Sequence, residues 1–498
     1  MSAMGFNCLT KIIINMINIF RYIPVKKEEL SKFFVVAFMM MLVVFIYSVQ
    51  RSMKDTIVVS YVGAELISAI KLYGVLPSAV LVMLVYAKLS NFLNKTFIFH
   101  LLNAFFIGYF LIFTFIIHPN IQSFHFDVSA MVQEFPRAKY LLIMAGNWSF
   151  SLYFIFAELW GSVMLALMFW QTANQVFQIK EAKRLYPLFG LVAQLGMLMS
   201  GITTKTFTKG SIASNWQESL NYINITIAAA GILLSLLFWI LSSVLVPSDI
   251  INAETVKKKK KVGFFEGLKY VFTSKYIGLI ALLLICYGSS INLVEGVWKA
   301  QARVVYSTPQ EYANFMGGLQ AYTGLAAGIS MLTGSYILSL ISWRTAALLT
   351  PIVILITACT FFIFSIYQVE ITSILPFLTL APIVIAVFAG LWQNILSKGI
   401  KYAFFDATKE MAYIPLDEAL KSKGKAAADV IGGRLGKSLG ALIQWSMLSL
   451  IPGSTLITLS PTLFVMFLVI MVVWFFTVNM LGNEFNKITK NKAQESSS

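Results

Sequence analysis

The chain has 498 residues, 58% of them hydrophobic and only 12% charged, with a mean hydropathy of +0.78. Soluble domains carry about 25% charged residues, so the composition excludes a soluble fold and indicates a polytopic membrane protein. The net charge of +16 does not point to nucleic acid, because most basic residues sit in short loops between apolar runs, where the positive-inside rule accounts for them.

Residues 1–31 contain Lys11 and an apolar stretch, Ile12 to Phe20, but Arg21, Lys26 and Lys27 follow in place of a small-residue cleavage site. An uncleaved cytoplasmic arm is therefore expected. Hydrophobic runs of spanning length follow at roughly 32–50, 69–89, 96–117, 142–171, 185–204, 221–246, 276–298, 313–340, 345–366, 374–396, 428–451 and 460–481. Twelve spans return the C-terminus to the side of the N-terminus. Basic residues fall in the alternate loops that this topology makes cytoplasmic, among them the Lys257 to Lys261 run and Lys398 to Lys425.

The lysine run divides the chain near its middle, and Ser31-Lys32-Phe33 is echoed by Ser274-Lys275-Tyr276 about 243 positions later. The expected organisation is a cytoplasmic arm (1–31), a six-helix half (32–250), a basic cytoplasmic linker (251–275), a second six-helix half (276–482) and a cytoplasmic tail (483–498). The fold class is thus all-α, with twelve transmembrane helices in two parallel halves, major-facilitator-like, and a substrate site near the midplane between them. Cys8, Cys286 and Cys359 are far apart, so neither a disulfide framework nor a metal site is expected. No cofactor is indicated, and His100, His118 and His125 lie at span ends or outside, so an enzyme is not expected.

Charges inside apolar spans are the functional candidates, since an Asp, Lys or Arg at a helix centre costs about 2.5–3.5 kcal/mol on insertion scales. At the end of the first run, Tyr47, Arg51 and Lys54 share one helix face with Asp55 beside them. Snorkelling of Arg51 and Lys54 to an outer interface is the bland account, but it runs against the positive-inside tendency. Glu158 stands mid-run in the fourth span, too short to snorkel, and must be protonated, paired or facing water. In the seventh span Gly288, Asn292, Glu295 and Lys299 make one polar stripe, for which a self-contained Glu295–Lys299 pair is the bland account. The eleventh span carries Arg434 and Lys437 beside Gly432, Gly436 and Gly440, a small-residue face for close packing. A P-loop is excluded there, because Ile431 occupies the position of its first glycine and no strand precedes it. The surplus of cations suits a polyanion.

Several strings together resemble the non-mitochondrial ATP/ADP translocases of obligate intracellular bacteria and plastids: Arg51-Ser52-Met53-Lys54-Asp55, Ala157-Glu158-Leu159-Trp160-Gly161, Ile291-Asn292-Leu293-Val294-Glu295 with Trp298-Lys299, Phe405 to Asp417, and Leu435-Gly436-Lys437-Ser438. The resemblance implies exchange of host ATP for internal ADP, with or without phosphate, across a bacterial inner membrane. It places functional charges at Lys54, Glu158, Glu295 and Lys437. Ile46 before Tyr47 and Leu439 after Ser438 depart from the family's usual residues, which bears on nucleotide preference. The expected substrate-binding set is Arg51, Lys54, Glu158, Glu295, Lys299, Arg434 and Lys437, with Asp55, Asn292, Asp406 and Lys409 as gate candidates. Partners are ATP, ADP and membrane lipids, in a monomer. The alternative is a proton-coupled or exchange transporter for other nucleotides (GTP/GDP, CTP, UTP); a lipid flippase or scaffold, its buried charges purely structural, is the rival of another class.

Overall fold

A computed structural model describes residues 25–247, 272–374, 379–416, 424–425 and 428–495. The lysine run and the greater part of the expected linker lie outside them. Among the described residues all regular structure is helical. Eleven helices among the described residues are long and apolar enough to cross a membrane: α1 (Lys27–Tyr61), α2 (Leu66–Leu89), α3 (Lys95–Phe124), α4 (Trp148–Val176), α5 (Ile179–Thr208), α6 (Trp216–Leu245), α7 (Lys275–Val305), α8 (Pro309–Leu340), α9 (Trp343–Ile366), α10 (Pro382–Tyr413) and, last in sequence, Ser460–Lys490. The remaining expected span is the cation- and glycine-bearing helix Gly433–Leu450, here α11, which makes Ser460–Lys490 α12. The expected membrane fold thus stands, with longer helices. The apolar runs at 32–50 and 276–298 stop at charges, whereas α1 continues to Tyr61 and α7 to Val305, because those charges face the protein interior and do not end the helix. Likewise 405–413, expected in a loop, continues α10.

Local sequence sets the helix starts. Asn94, Asn215 and Ser342 accept hydrogen bonds from backbone N–H groups three residues on, at 2.8, 2.9 and 3.2 Å, and Thr308 with Glu311 forms a reciprocal cap before Pro309. The α1–α2 turn uses Gly63 at φ +130°, a conformation that disfavours any side chain. Large apolar side chains such as Leu81, Ile232, Leu332, Ile356 and Phe476 remain exposed around the perimeter, as a lipid-facing surface requires.

The two halves meet along α5–α8, α1–α8, α1–α7 and α2–α11. Small residues permit this. A Cβ on Gly324 of α8 would lie 2.7 Å from the Leu198 backbone nitrogen and 2.8 Å from the Gln194 carbonyl of α5. Within the second half, the glycine face of α11 packs on α7 as its spacing predicts: a Cβ on Gly436 would meet the Leu284 carbonyl at 2.9 Å, and Ser289 Oγ donates to the Gly436 carbonyl at 3.0 Å.

Gly324→Leu is therefore expected to cost about 1–3 kcal/mol through overpacking and to lower the melting temperature of detergent-solubilised protein. Gly318→Ala, whose added carbon meets only the far end of Tyr322 at 3.9 Å, should melt like the parent; equal melting of the two variants would refute the close approach of α5 and α8.

Candidate functional site

Six charges form an alternating chain between the halves. Glu158 on α4 pairs with Lys54 on α1 at 3.1 Å, Lys54 with Asp55 at 2.9 Å, and Asp55 with Lys299 on α7 at 2.8 Å. Lys299 then pairs with Glu295 at 3.0 Å, and Glu295 reaches back to Arg51 on α1 at 3.8 Å. Helix geometry makes this possible: 51, 54 and 55 lie within about one turn of one face of α1, and 295 and 299 are one turn apart on α7. The Glu295–Lys299 pair is thus not closed on itself. Exposure varies along the chain. The side chains of Lys54 and Lys299 are 2% and 3% exposed, against 23% for Glu158 and 28% for Arg51, so the centre is dry and the ends face an open cavity. Lys54 Nζ also lies 3.8 Å from the Phe154 ring centroid, a second source of compensation for a buried ammonium.

Three further lysines enter the same region without a carboxylate within 4.0 Å among the described residues: Lys71 on α2, Lys398 on α10 and Lys437 on α11. Lys71 sits in a π-turn, Ile70–Val75, whose extra residue per turn changes where the following side chains point. Its ammonium donates to Asn292 Oδ1 of α7 across the interface at 2.6 Å. Lys398 was assigned by sequence to a cytoplasmic loop, yet it lies inside α10, in electrostatic reach of Arg51, Glu295, Lys299 and Asp55. Lys437 interacts with Glu158 and Arg51. Six cations therefore face three carboxylates in a space between helices, a composition that attracts a polyanion.

The polar contacts between the halves gather at one end of this space. Toward the face opposite the chain termini, Arg303 donates to the Ser60 carbonyl at 3.1 Å and Glu65 accepts from the Leu456 N–H at 3.2 Å. Tyr140 donates to the Ser454 carbonyl at 3.4 Å, and Asn314 to the Lys205 carbonyl at 3.2 Å. Among the described residues, every hydrogen bond or ion pair joining the halves lies at the level of Arg51 or beyond it in this direction. Toward the terminus face α2 loosens: Leu66–Ile70 are buried, whereas Leu76–Leu89 contains no buried residue.

Asn292 and Asp55 thus join the halves, while Asp406 and Lys409 do not. Asp406 pairs with Lys401 at 2.6 Å, and Lys409 with Asp429 and Glu410 at 3.1 Å each, all within the second half near the terminus face. Arg434 lies on α11, with its side chain outside the described set. Lys71 and Lys398 escape a reading by hydropathy because each stands within a few residues of the end of an apolar run, where a lysine reads as an interface anchor.

A family model described as TLC ATP/ADP transporter matches residues 15–485. The chain is 42% identical over 482 residues to ADP,ATP carrier protein 1 of Rickettsia typhi, covering 94% of this chain and 96% of that one. It is 40% identical over 490 residues to ADP,ATP carrier protein 3 of Rickettsia bellii, covering 94% and 97%. In fold it is similar to the nucleoside transporter NupG, with a TM-score of 0.56, 12% identity and coverage of 90% and 99%. A D-xylose–proton symporter gives 0.55 at 12% identity, covering 91% and 97%.

Removing one member of a dry ion pair leaves the other charge unmatched, at about 3–5 kcal/mol, whereas removing both is nearly neutral. Asp55→Asn and Lys299→Gln should each lower the melting temperature clearly and the double variant should recover most of the loss. A double variant as unstable as the sum of the singles would show that the two charges act separately.

Proposed function

The chain belongs to the TLC ATP/ADP transporter family, and on that premise we propose that it is an antiporter exchanging host ATP for internal ADP by alternating access between its two six-helix halves. The family and its relatives are transporters, and the chain is a polytopic membrane carrier, not an enzyme. The observation that carries the substrate class is the cation excess: Lys71, Lys398 and Lys437 face the cavity with no carboxylate within 4.0 Å among the described residues, and a nucleotide's phosphate chain supplies the missing negative charge.

In this reading Arg51, Lys54, Lys437 and Arg434 hold phosphate together with Lys71 and Lys398. Glu158 and Glu295 compensate Lys54, Lys299 and Arg51 when the site is empty. The Asp55–Lys299 pair and the Lys71–Asn292 hydrogen bond form the gate at the face opposite the termini. Asp406 and Lys409 line the other mouth with their partners Lys401, Asp429 and Glu410. The carrier resides as a monomer in a bacterial inner membrane with both termini cytoplasmic, so that the geometry described is the inward-open state, and lipid covers its exposed apolar perimeter. The arm, linker and tail at 1–31, 251–275 and 483–498 are then cytoplasmic, and phosphate accompanies ADP outward.

The exchange is electrically asymmetric. ATP carries about four negative charges and ADP about three, so import moves one net negative charge inward, opposed by about 2.3 kcal/mol per 100 mV of inside-negative potential, roughly fortyfold. Outward phosphate offsets that charge.

In proteoliposomes at fixed potential, uptake of labelled ATP is expected to require ADP inside. Lys437→Glu should abolish uptake with no loss of folded protein, whereas Lys54→Glu should abolish uptake and also lower the melting temperature, because it sets a third carboxylate beside Asp55 and Glu158 in the dry centre. ATP uptake indifferent to internal ADP but dependent on a proton gradient would replace exchange by symport, and normal transport by both variants would remove the phosphate assignment.

A further inference from the structure

Three tyrosines from three helices converge on the terminus side of Arg51, Lys54 and Lys398. Tyr47 on α1 stands one turn from Arg51 and about 10 Å along the helix from Lys54. Tyr287 on α7 stands two turns before Glu295, and Tyr402 on α10 one turn beyond Lys398. All three are half-buried. The Tyr47 ring rests on the backbone of α4 at Gly161, where a Cβ would come within 2.5–3.1 Å of three ring atoms, so the glycine is what admits it. The Tyr287 ring packs 4.7 Å from that of Phe405, three residues from Tyr402, and edge-on to Trp474 at 5.9 Å. The Lys401 ammonium lies 4.7 Å from the Tyr402 ring centroid. Tyr402 is in electrostatic reach of both other tyrosines, and Arg51 of Tyr47 and Tyr287.

Their hydroxyls distinguish them from tyrosines used for packing. Tyr153 donates to Gln50 at 2.6 Å, Tyr86 to Gln171 at 2.6 Å and Tyr276 to the Ala412 carbonyl at 2.7 Å, as tyrosines buried in a fold do. Among the described residues Tyr47, Tyr287 and Tyr402 have no such partner, and, unlike the equally unpartnered but sealed hydroxyl of Tyr312, none of their hydroxyls is closed off from solvent. Polar groups on rigid aromatic arms are held open toward the cavity, on the terminus side of Arg51 and Lys54.

We propose that Tyr47, Tyr287 and Tyr402 form the nucleobase subsite of the carrier, offering ring faces to the base and hydroxyls to its ring nitrogens and exocyclic groups. The inference rests on the cavity being a nucleotide site. It orients the substrate: base toward the terminus face, phosphates toward Lys54 and the opposite face. A planar base stacks on any aromatic face with little directional demand, and hydroxyls that accept or donate add selectivity for its edge.

The test compares ADP with inorganic tripolyphosphate, which has the phosphates and no base, by calorimetry on the purified full-length carrier. Tyr47→Leu and Tyr402→Leu are expected to weaken ADP binding on the order of tenfold and leave tripolyphosphate binding unchanged. Tyr287→Phe, which keeps the ring and its packing on Phe405, should weaken ADP several-fold and again spare tripolyphosphate. Equal losses for both ligands would make the tyrosines merely structural, and unchanged ADP binding in all three variants would remove them from the site. A parent carrier that binds neither ligand would remove the nucleotide site itself, and this subsite with it.

Discussion

Asp55 and Lys299 are withdrawn from water between α1 and α7, and the way the halves can part is set by the need to keep each charge matched. An ion stranded in a low-dielectric interior costs several kcal/mol, far more than an ordinary packing contact. The alternating chain meets that need in both positions of the halves. When α1 and α7 separate, Lys299 retains Glu295 and Asp55 retains Lys54, which also holds Glu158. Arg51 then balances the first half, so each half leaves the interface with its carboxylates and these cations equal in number. The interface can open because its charges exchange partners without losing them.

Much of this was legible in the sequence, for reasons that differ from residue to residue. Glu158 and Glu295 stand out because a short carboxylate inside an apolar run has no route to the interface. The glycine spacing of α11 specified a packed face, and α7 supplies the surface it meets. What hydropathy could not give was helix length: it stops α1 before Arg51 and α7 near Lys299, since it cannot tell a charge facing lipid from one facing a cavity. The same blindness assigned Lys398 to a loop and passed over Lys71. The tyrosines were harder still, because an aromatic residue suits a lipid face, a core and a ligand equally well, and only their position beside the buried charges, with hydroxyls neither paired nor sealed, separates these cases.

Several helices depart from regular geometry beside the cavity. π-turns occupy Ile70–Val75 in α2, Gly161–Phe169 in α4 and Lys401–Phe405 in α10. Each adjoins a residue of the cavity: Lys71, Glu158 and Tyr47's seat at Gly161, and Tyr402. A π-turn inserts one residue without breaking the helix, so side chains beyond it point elsewhere than a regular helix would send them. In α2 the turn also marks the boundary between a packed segment and one with no buried residue. A helix divided in this way can tilt one end while the other stays docked.

The three lysines with no carboxylate within 4.0 Å among the described residues have a consequence for coupling. In the proposed inward-open state water reaches Lys71, Lys398 and Lys437. To turn over, the protein must pass through a form shut at both ends, and in that form unmatched ammonium groups would be left in a dry chamber at several kcal/mol each. An anionic cargo removes that penalty and an empty chamber does not. Slippage, the return of an unloaded carrier across the membrane, is thereby suppressed by the protein's own surplus charge, with no separate lock required.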